Sequence, residues 1–165
     1  MNANIEAIRD ELLTGTDAGL RSRRTVAAVA AGLVVDFALI GMRQYGVIRH
    51  LPDPPGFDSN AVTTSRAAYP LGIPDSALAL VGLGGIIALA TARGTARTGR
   101  PPMFDIGLGV ATAVGAGGAT YFLNTMRRQR RICAYCLVGA AGMFAMAAIA
   151  VPKAVGVAAR WSRAQ

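Results

Sequence analysis

The chain has 165 residues, of which 53% are hydrophobic and only 16% are charged, and it carries a net charge of +8. This composition is too apolar for an ordinary soluble domain. Nearly all of the positive charge comes from arginines that lie between apolar stretches, which is typical of the flanks of membrane helices. Zinc-finger spacing and basic stripes on polar helices are absent. We therefore predict a single membrane domain in contact with lipid and no nucleic-acid partner.

Residues 1–24 are predicted to form a cytoplasmic tail that stays attached to the first membrane helix. The segment is polar, and no small-residue cleavage site is placed to release the first apolar stretch. We therefore expect an uncleaved signal-anchor. A short amphipathic helix on the membrane surface and a solvated tail are both compatible with its apolar residues at helical spacing, which are Ile5, Ile8, Leu12 and Leu13.

Four apolar stretches follow, and each approaches the ~20 residues that an α-helix needs to cross a bilayer. They predict spans at about 25–47, 74–92, 104–126 and 132–151, followed by a basic tail at 152–165. The third stretch has a small residue at every fourth position, a pattern that lets membrane helices pack closely: Gly107, Ala111, Gly115 and Ala119. We therefore predict an all-α fold, an integral membrane four-helix bundle with a long extracytoplasmic loop between helices one and two.

The loop between the first two spans, residues 48–71, is a long polar connection. Its prolines prevent a continuous helix. Asp58 or Ser59 can cap a short helix that runs through Ala67 or Ala68. Connections of this length are often functional, so we expect this loop to contribute to the activity of the protein.

The distribution of arginine and lysine predicts a cytoplasmic N-terminus. Cytoplasmic segments of membrane proteins carry an excess of these residues, and this orientation places more of them inside than outside. The basic run from Arg127 to Arg131 would then lie outside and counts against the assignment. With the N-terminus inside, the long loop and the start of the fourth span face the oxidising side of the membrane.

Two isolated ionisable residues are candidates for a special role. Asp36 lies within the first predicted span with Arg43 on the same helical face, and an intramembrane acid is a functional-site candidate by default. Alternatively, Asp36 accepts hydrogen bonds from a neighbouring helix. A transporter built around it is not favoured, because the sequence has no internal repeat. His50 is the sole histidine, and we interpret it as an ordinary loop residue and expect no metal site.

The only two cysteines, Cys133 and Cys136, lie at the start of the fourth predicted span. Residues at i and i+3 of a helix share one face, so the two thiols can close a disulfide. A helix N-terminus and nearby arginines both stabilise a thiolate. We therefore predict that Cys133 is the nucleophile toward an aqueous partner and that Cys136, one turn deeper, lies closer to a lipid-soluble oxidant. An inert structural disulfide and two buried small side chains are the alternatives.

Two segments resemble the bacterial branch of the vitamin K epoxide reductase family. One is Cys133-Ala-Tyr-Cys136-Leu, and the other is the loop segment from Ser59 to Pro74, including its serine and Gly-Ile-Pro. The resemblance covers roughly residues 30–151. It implies a four-helix bundle around a quinone, ubiquinone or menaquinone, in the bacterial cytoplasmic membrane. It also implies that Cys136 faces the quinone and that Cys133 exchanges with a thiol donor, a thioredoxin-like extracytoplasmic protein.

The sequence departs from the family pattern in two places. The loop lacks the second cysteine pair that usually relays electrons to the C-x-x-C, and Ser59 stands where we place the second member of that pair. After the C-x-x-C, Leu137-Val138-Gly139-Ala140 replaces the Leu-Thr-Ser-Ala of many bacterial members. The chain is then either a quinone-dependent thiol/disulfide oxidoreductase whose partner attacks Cys133 directly, or a non-catalytic four-helix subunit of a larger membrane complex.

Overall fold

The structure, a computed structural model, describes residues 18–92 and 102–163. Its α-helices are α1 (Ala18–Gln44), α2 (Ser59–Thr63), α3 (Asp75–Thr91), α4 (Pro102–Gln129) and α5 (Ala134–Ser162). Two 3₁₀ turns, Arg66–Ala68 and Pro70–Gly72, lie between α2 and α3. No strand occurs in these described ranges, so the prediction of an all-α fold is confirmed.

The four long helices pack as a ring, in which α1 and α4 each contact both α3 and α5. Helices α1, α4 and α5 are long and apolar enough to cross a membrane, whereas α3 has 17 residues. At 1.5 Å per residue, α3 spans about 26 Å, slightly less than the ~30 Å hydrocarbon core. The prediction of a membrane helical bundle is thus confirmed, with one helix at the lower limit of spanning length.

Small residues bring the helices into close contact, as their frequency in the sequence predicts. A β-carbon built on Gly109 of α4 would overlap Ala154 of α5, and one on Gly115 would lie 2.8 Å from the Met143 sulfur. Gly107, in contrast, faces Leu89 of α3. The predicted row of small residues on α4 therefore faces two neighbouring helices, α3 and α5. The closest contact of α4 with α5 is made by Gly109, which does not belong to that row.

Helix α5 is longer than the predicted fourth span. It continues through Pro152 to Ser162, so most of the segment predicted as a basic tail is helical. Pro152 is exposed, and Ala154 directly after it is buried against Gly109. A proline removes one backbone hydrogen bond, but membrane helices tolerate it where neighbouring groups compensate. The packing of the residues beyond the proline therefore extends the helix.

The remaining boundaries differ by a few residues from those predicted. Helix α1 begins at Ala18 and ends at Gln44, so it lies nearer to the N-terminus than the predicted span. The short helix α2 begins after the predicted cap Asp58, whose side chain accepts a hydrogen bond from the Ala61 backbone N–H. The predictions for the first seventeen residues lie outside the described residues, and so do Arg93, Arg97 and Arg100, three of the residues counted as cytoplasmic in the orientation prediction.

Candidate redox site

A tight turn between α4 and α5 places the cysteines. Arg130 follows the end of α4 with a φ of 53°, and its backbone N–H donates to the Arg127 carbonyl while the Arg131 N–H donates to the Met126 carbonyl. This is the Schellman arrangement that glycine usually occupies, and a side chain there costs about 1–2 kcal/mol. The reversal lets α5 start at Ala134, directly after Cys133.

Cys133 and Cys136 form a disulfide, with their α-carbons 5.2 Å apart. Cys133 is the N-cap of α5, and its sulfur accepts a hydrogen bond from the Cys136 backbone N–H at 3.0 Å. The two sulfurs are therefore brought together as predicted, although Cys133 caps the helix and does not lie within it. The two sulfurs differ in access, because Cys133 is 0% exposed whereas Cys136 is half-buried.

The loop helix α2 covers Cys133. The hydroxyl of buried Ser59 accepts a hydrogen bond from the Ala134 N–H at 3.0 Å, which satisfies one of the free donors at the start of α5. The Asp58 N–H donates to the Ile132 carbonyl at 2.8 Å. Val62 packs against Cys133 on the inner side of α2. The residue predicted to replace a relay cysteine thus contacts the backbone of the C-x-x-C segment itself.

Two further contacts hold the loop to the rim of the site. Arg131 and Asp58 form an ion pair of 2.9 Å with both side chains about half exposed, so this pair contributes at most about 1 kcal/mol. The Tyr135 hydroxyl donates to the Pro52 carbonyl at 2.9 Å. The loop is therefore attached just before the C-x-x-C pair, at Arg131, and within it, at Tyr135.

Asn60 and Gln44 organise the loop, and neither was expected from the sequence. Asn60 accepts from the Leu51 N–H at 2.8 Å and from the Arg43 side chain at 3.1 Å. The Gln44 side chain donates to the Thr63 carbonyl at 3.0 Å and to Asp75 at 2.6 Å. The only sequence signal is a polar side chain, next to a predicted N-cap for Asn60 and near a predicted helix end for Gln44. This signal does not identify the distant residues to which they bond.

The comparison with protein families decides the classification. The model of the vitamin K epoxide reductase family matches residues 24–151. The chain belongs to this family. A search of curated proteins found no match. Membership in the vitamin K epoxide reductase family indicates a redox function in the membrane, and the disulfide between Cys133 and Cys136 fits its C-x-x-C motif.

Asp36 lies on the face of α1 that packs against α5. One of its carboxylate oxygens is buried and has no hydrogen-bond partner within the described part of the chain. A β-carbon on Gly139 would lie 3.6 Å from that oxygen, so the glycine makes room for the carboxylate. Arg43, on the same helix, donates instead to Asn60. The alternative in which Asp36 accepts a hydrogen bond from a neighbouring helix is not observed for this oxygen.

An apolar cavity adjoins the C-x-x-C segment. Its volume is about 410 Å³, and Leu123, Met126, Ile132 and Leu137 line it together with Arg127, Arg130 and Arg131. This volume lies within the usual range for small-molecule sites, roughly 300–1,000 Å³. Ile132 precedes Cys133 and Leu137 follows Cys136, but neither cysteine lines the cavity. Apart from the three arginines, the walls of the cavity are apolar.

The structure also locates His50, the side chains that could bind a metal, and a second cavity. His50 is an exposed loop residue. Across residues 18–92 and 102–163, no three side chains of His, Cys, Asp or Glu lie together as a metal-binding group. A second cavity of about 420 Å³ lies at the far end of the bundle, between the start of α1 and the end of α5. The disulfide and the cavity beside it therefore lie at the opposite end of the bundle from this second cavity.

Proposed function

We propose that this protein oxidises a thiol donor and passes the electrons through the Cys133–Cys136 pair to a membrane quinone, ubiquinone or menaquinone. The observation that carries the proposal is the disulfide at the start of α5, with one half-buried sulfur and an apolar cavity beside the motif. Family membership supports the same chemistry. The donor is a thioredoxin-like protein on the outer side of a bacterial cytoplasmic membrane.

The proposed reaction has two steps, and electrons and protons are conserved in each. A donor dithiol gives two electrons and two protons to the disulfide, so the S–S bond breaks, two protein thiols form and the donor becomes a disulfide. The protein disulfide then reforms, both S–H bonds break, and two electrons and two protons convert the quinone to a quinol. No metal is needed in either exchange.

The different exposure of the two sulfurs supports different roles. Cys136 is half-buried and precedes Leu137, which lines the apolar cavity, so we place it on the quinone side. Cys133 is fully buried beneath α2. A donor thiol therefore reaches Cys133 only when α2 moves away, which requires loss of the Ser59 and Asp58 hydrogen bonds to the C-x-x-C segment.

Substitution of Cys136 tests the proposed function. We expect Cys136→Ala to abolish reduction of a short-chain ubiquinone by dithiothreitol in the purified protein, because the remaining thiol cannot form the disulfide. The measurement is the loss of quinone absorbance with time, after subtraction of the rate without protein. Ser162→Ala, an exposed change at the other end of α5, is the control and should keep the wild-type rate. Unchanged turnover in Cys136→Ala would contradict the proposal.

A non-catalytic membrane subunit is the second candidate. The observation in its favour is that Cys133 is sealed by α2, as expected for a structural disulfide. Alkylation under native conditions with mass spectrometry separates the two functions. Cysteines that become alkylated after dithiothreitol, and are protected again after added quinone, indicate the enzyme. Cysteines that dithiothreitol never makes reactive indicate the subunit.

A further inference from the structure

We propose that the thiol donor binds through an acidic surface to a basic patch beside the C-x-x-C pair, formed by Arg127, Arg128, Arg130 and Arg131. This inference rests on the proposed function and names the chemistry of its donor, a dithiol protein with carboxylates next to its cysteines. All four arginines are exposed, and the last of them precedes Cys133 by two positions. A donor bound to the basic patch is therefore held next to the sulfur that we expect it to attack.

The basic patch lies at the end of the membrane-spanning part of α4. The 21 residues between Asp105 and Arg127 carry no charge. At 1.5 Å per residue they extend about 32 Å, which matches a hydrocarbon core of ~30 Å. The arginines follow in the last turn of α4 and in the tight turn to α5. Their side chains therefore stand where a partner in water reaches them.

Positive charge dominates this end of the bundle. Residues 43–75 and 127–136 contain seven arginines and three aspartates, and neither lysine nor glutamate occurs there. Within residues 18–92 and 102–163, Arg131 is the one member of the basic patch that pairs with a carboxylate. The other three arginines therefore leave an excess of positive charge directly beside the redox pair.

The pair between Arg131 and Asp58 shows that the patch binds carboxylates. The Arg131 guanidinium group donates to the Asp58 carboxylate at 2.9 Å, and both side chains are about half exposed. The planar guanidinium group matches a carboxylate with two parallel N–H donors. Aspartate or glutamate side chains on a partner would meet the same donors at the three remaining arginines.

Helix stability alone does not account for the basic patch. Cations in the last turn of a helix interact favourably with its dipole, which explains Arg127 and Arg128. Arg130 follows the helix with a φ of 53°, a conformation for which glycine is favoured. The sequence therefore places a third positive charge where the backbone disfavours any side chain, as expected if the charge itself has a purpose.

The test compares two synthetic dithiol peptides as donors. Both contain Cys-Gly-Gly-Cys, which is flanked on each side by two glutamates in one peptide and by two glutamines in the other. Each reduced peptide is mixed with oxidised full-length protein in an uncharged detergent, so the peptide becomes a disulfide and the protein disulfide becomes two thiols. Alkylation with mass spectrometry follows this reaction. Each rate is divided by that of the same peptide with hydroxyethyl disulfide, which corrects for different thiol reactivity.

We expect the acidic peptide to reduce the wild-type protein faster than the neutral peptide. At pH 7 and 10 mM salt, the ratio of the corrected rates should be about 10, because the basic patch attracts the glutamates and steers the encounter. In 1 M salt the ratio should approach one, because the Debye length falls to ~3 Å.

A triple variant removes the charges that pair with no carboxylate, Arg127→Gln, Arg128→Gln and Arg130→Gln. At low salt its ratio should fall close to one. Arg131 is kept, so the ion pair with Asp58 stays. The ratio compares two donors on one protein, so a change that slows both peptides equally does not alter it.

The matched control removes three exposed arginines at the other end of the bundle, Arg21→Gln, Arg160→Gln and Arg163→Gln. It has the same net charge as the triple variant of the basic patch. Its ratio should stay at the wild-type value, because its charges lie on the far side of the membrane-spanning helices. A fall in this control would attribute the preference to net charge and overturn the basic patch as the docking surface.

The outcomes separate the inference from the proposed function. A wild-type ratio near 10 that falls only in the variant of the basic patch supports both. Equal rates for the two peptides, or a ratio that this variant keeps, overturn the docking surface while the oxidoreductase stands; arginines that bind only lipid head groups would give this result. A disulfide that dithiothreitol reduces but neither peptide reduces also overturns the docking surface. A disulfide that none of the three reduces overturns the oxidoreductase, and the docking surface with it.

Discussion

Ser59 lies against the backbone of the C-x-x-C segment. Its buried hydroxyl accepts from the Ala134 N–H, and Val62 of the same short helix packs against Cys133. The oxygen stabilises the start of α5 but cannot form a disulfide. Ser59 therefore fixes the loop against the C-x-x-C segment, and as a serine it cannot itself exchange disulfides with the pair.

Ser59→Cys tests whether the loop still has this geometry. The introduced thiol would lie beside Cys133, and we expect it to exchange with the native disulfide and become linked to Cys133. Peptide mapping of the oxidised, non-reduced protein detects this linkage. Thr64→Cys, at an exposed position just after α2, is the matched control and should leave the native disulfide intact. The absence of any new linkage in Ser59→Cys would show that Ser59 does not stand in a relay position.

The site could be predicted from the sequence where its contacts are local. The pairing of Cys133 with Cys136 follows from their spacing, and the capping role of Asp58 follows from a preference that acts over three residues. The hydrogen bond between Ser59 and Ala134 joins residues 75 positions apart. The burial of Cys133 depends on that contact. We expected Cys133 to react with an aqueous partner, and no local sequence pattern predicts that it is covered.

Helices α4 and α5 pack closely at glycines, and the sequence pattern predicts only some of these glycines. Every fourth residue of α4 from Gly107 to Ala119 is small, yet the closest contact is between Gly109 and Ala154. Ala154 lies beyond Pro152, where helix propensity predicts an end to α5. The packing of this turn against α4 overrides that local preference, which is why the prediction from sequence stops α5 too early.

Gly109→Ala tests this contact. The added methyl group would overlap the side chain of Ala154, so the two helices must separate. We expect the free energy of unfolding to fall by about 1–3 kcal/mol, the usual cost of overpacking. Gly117→Ala on the same helix is the control, because a β-carbon there has no neighbour within 4 Å, and it should be neutral or slightly stabilising. Thermal unfolding in detergent micelles compares the two, and equal midpoints would contradict the close packing.

For the whole molecule, the ring of helices gathers all the groups of the proposed reaction at one end. The loop, the end of α4 and the start of α5 meet there, and the second cavity lies at the other end. Hydrophobic periodicity and length predict such a bundle. They do not predict which helices are neighbours, and the contact of α1 with α5 that brings Asp36 to Gly139 emerges only in the folded chain.

The orientation of the bundle in the membrane decides which compartment supplies the thiol donor. Among the described residues, arginines occur at both ends, so orientation is a prediction from the charges of the whole sequence, which favour a cytoplasmic N-terminus. We expect the loop, and with it the C-x-x-C pair, to lie outside. The donor would then be an extracytoplasmic protein, in a compartment where disulfides persist.

Single-cysteine labelling in whole cells tests this orientation. In a background in which both native cysteines are replaced by alanine, Thr64→Cys marks the loop and Ser162→Cys marks the end of α5, and both positions are exposed. A membrane-impermeant maleimide should label Thr64→Cys in intact cells and Ser162→Cys only after lysis, because the membrane separates the two ends of the bundle. The reverse pattern would place the redox pair in the reducing cytoplasm, where a glutathione or thioredoxin pool, and not an exported partner, would have to supply its electrons.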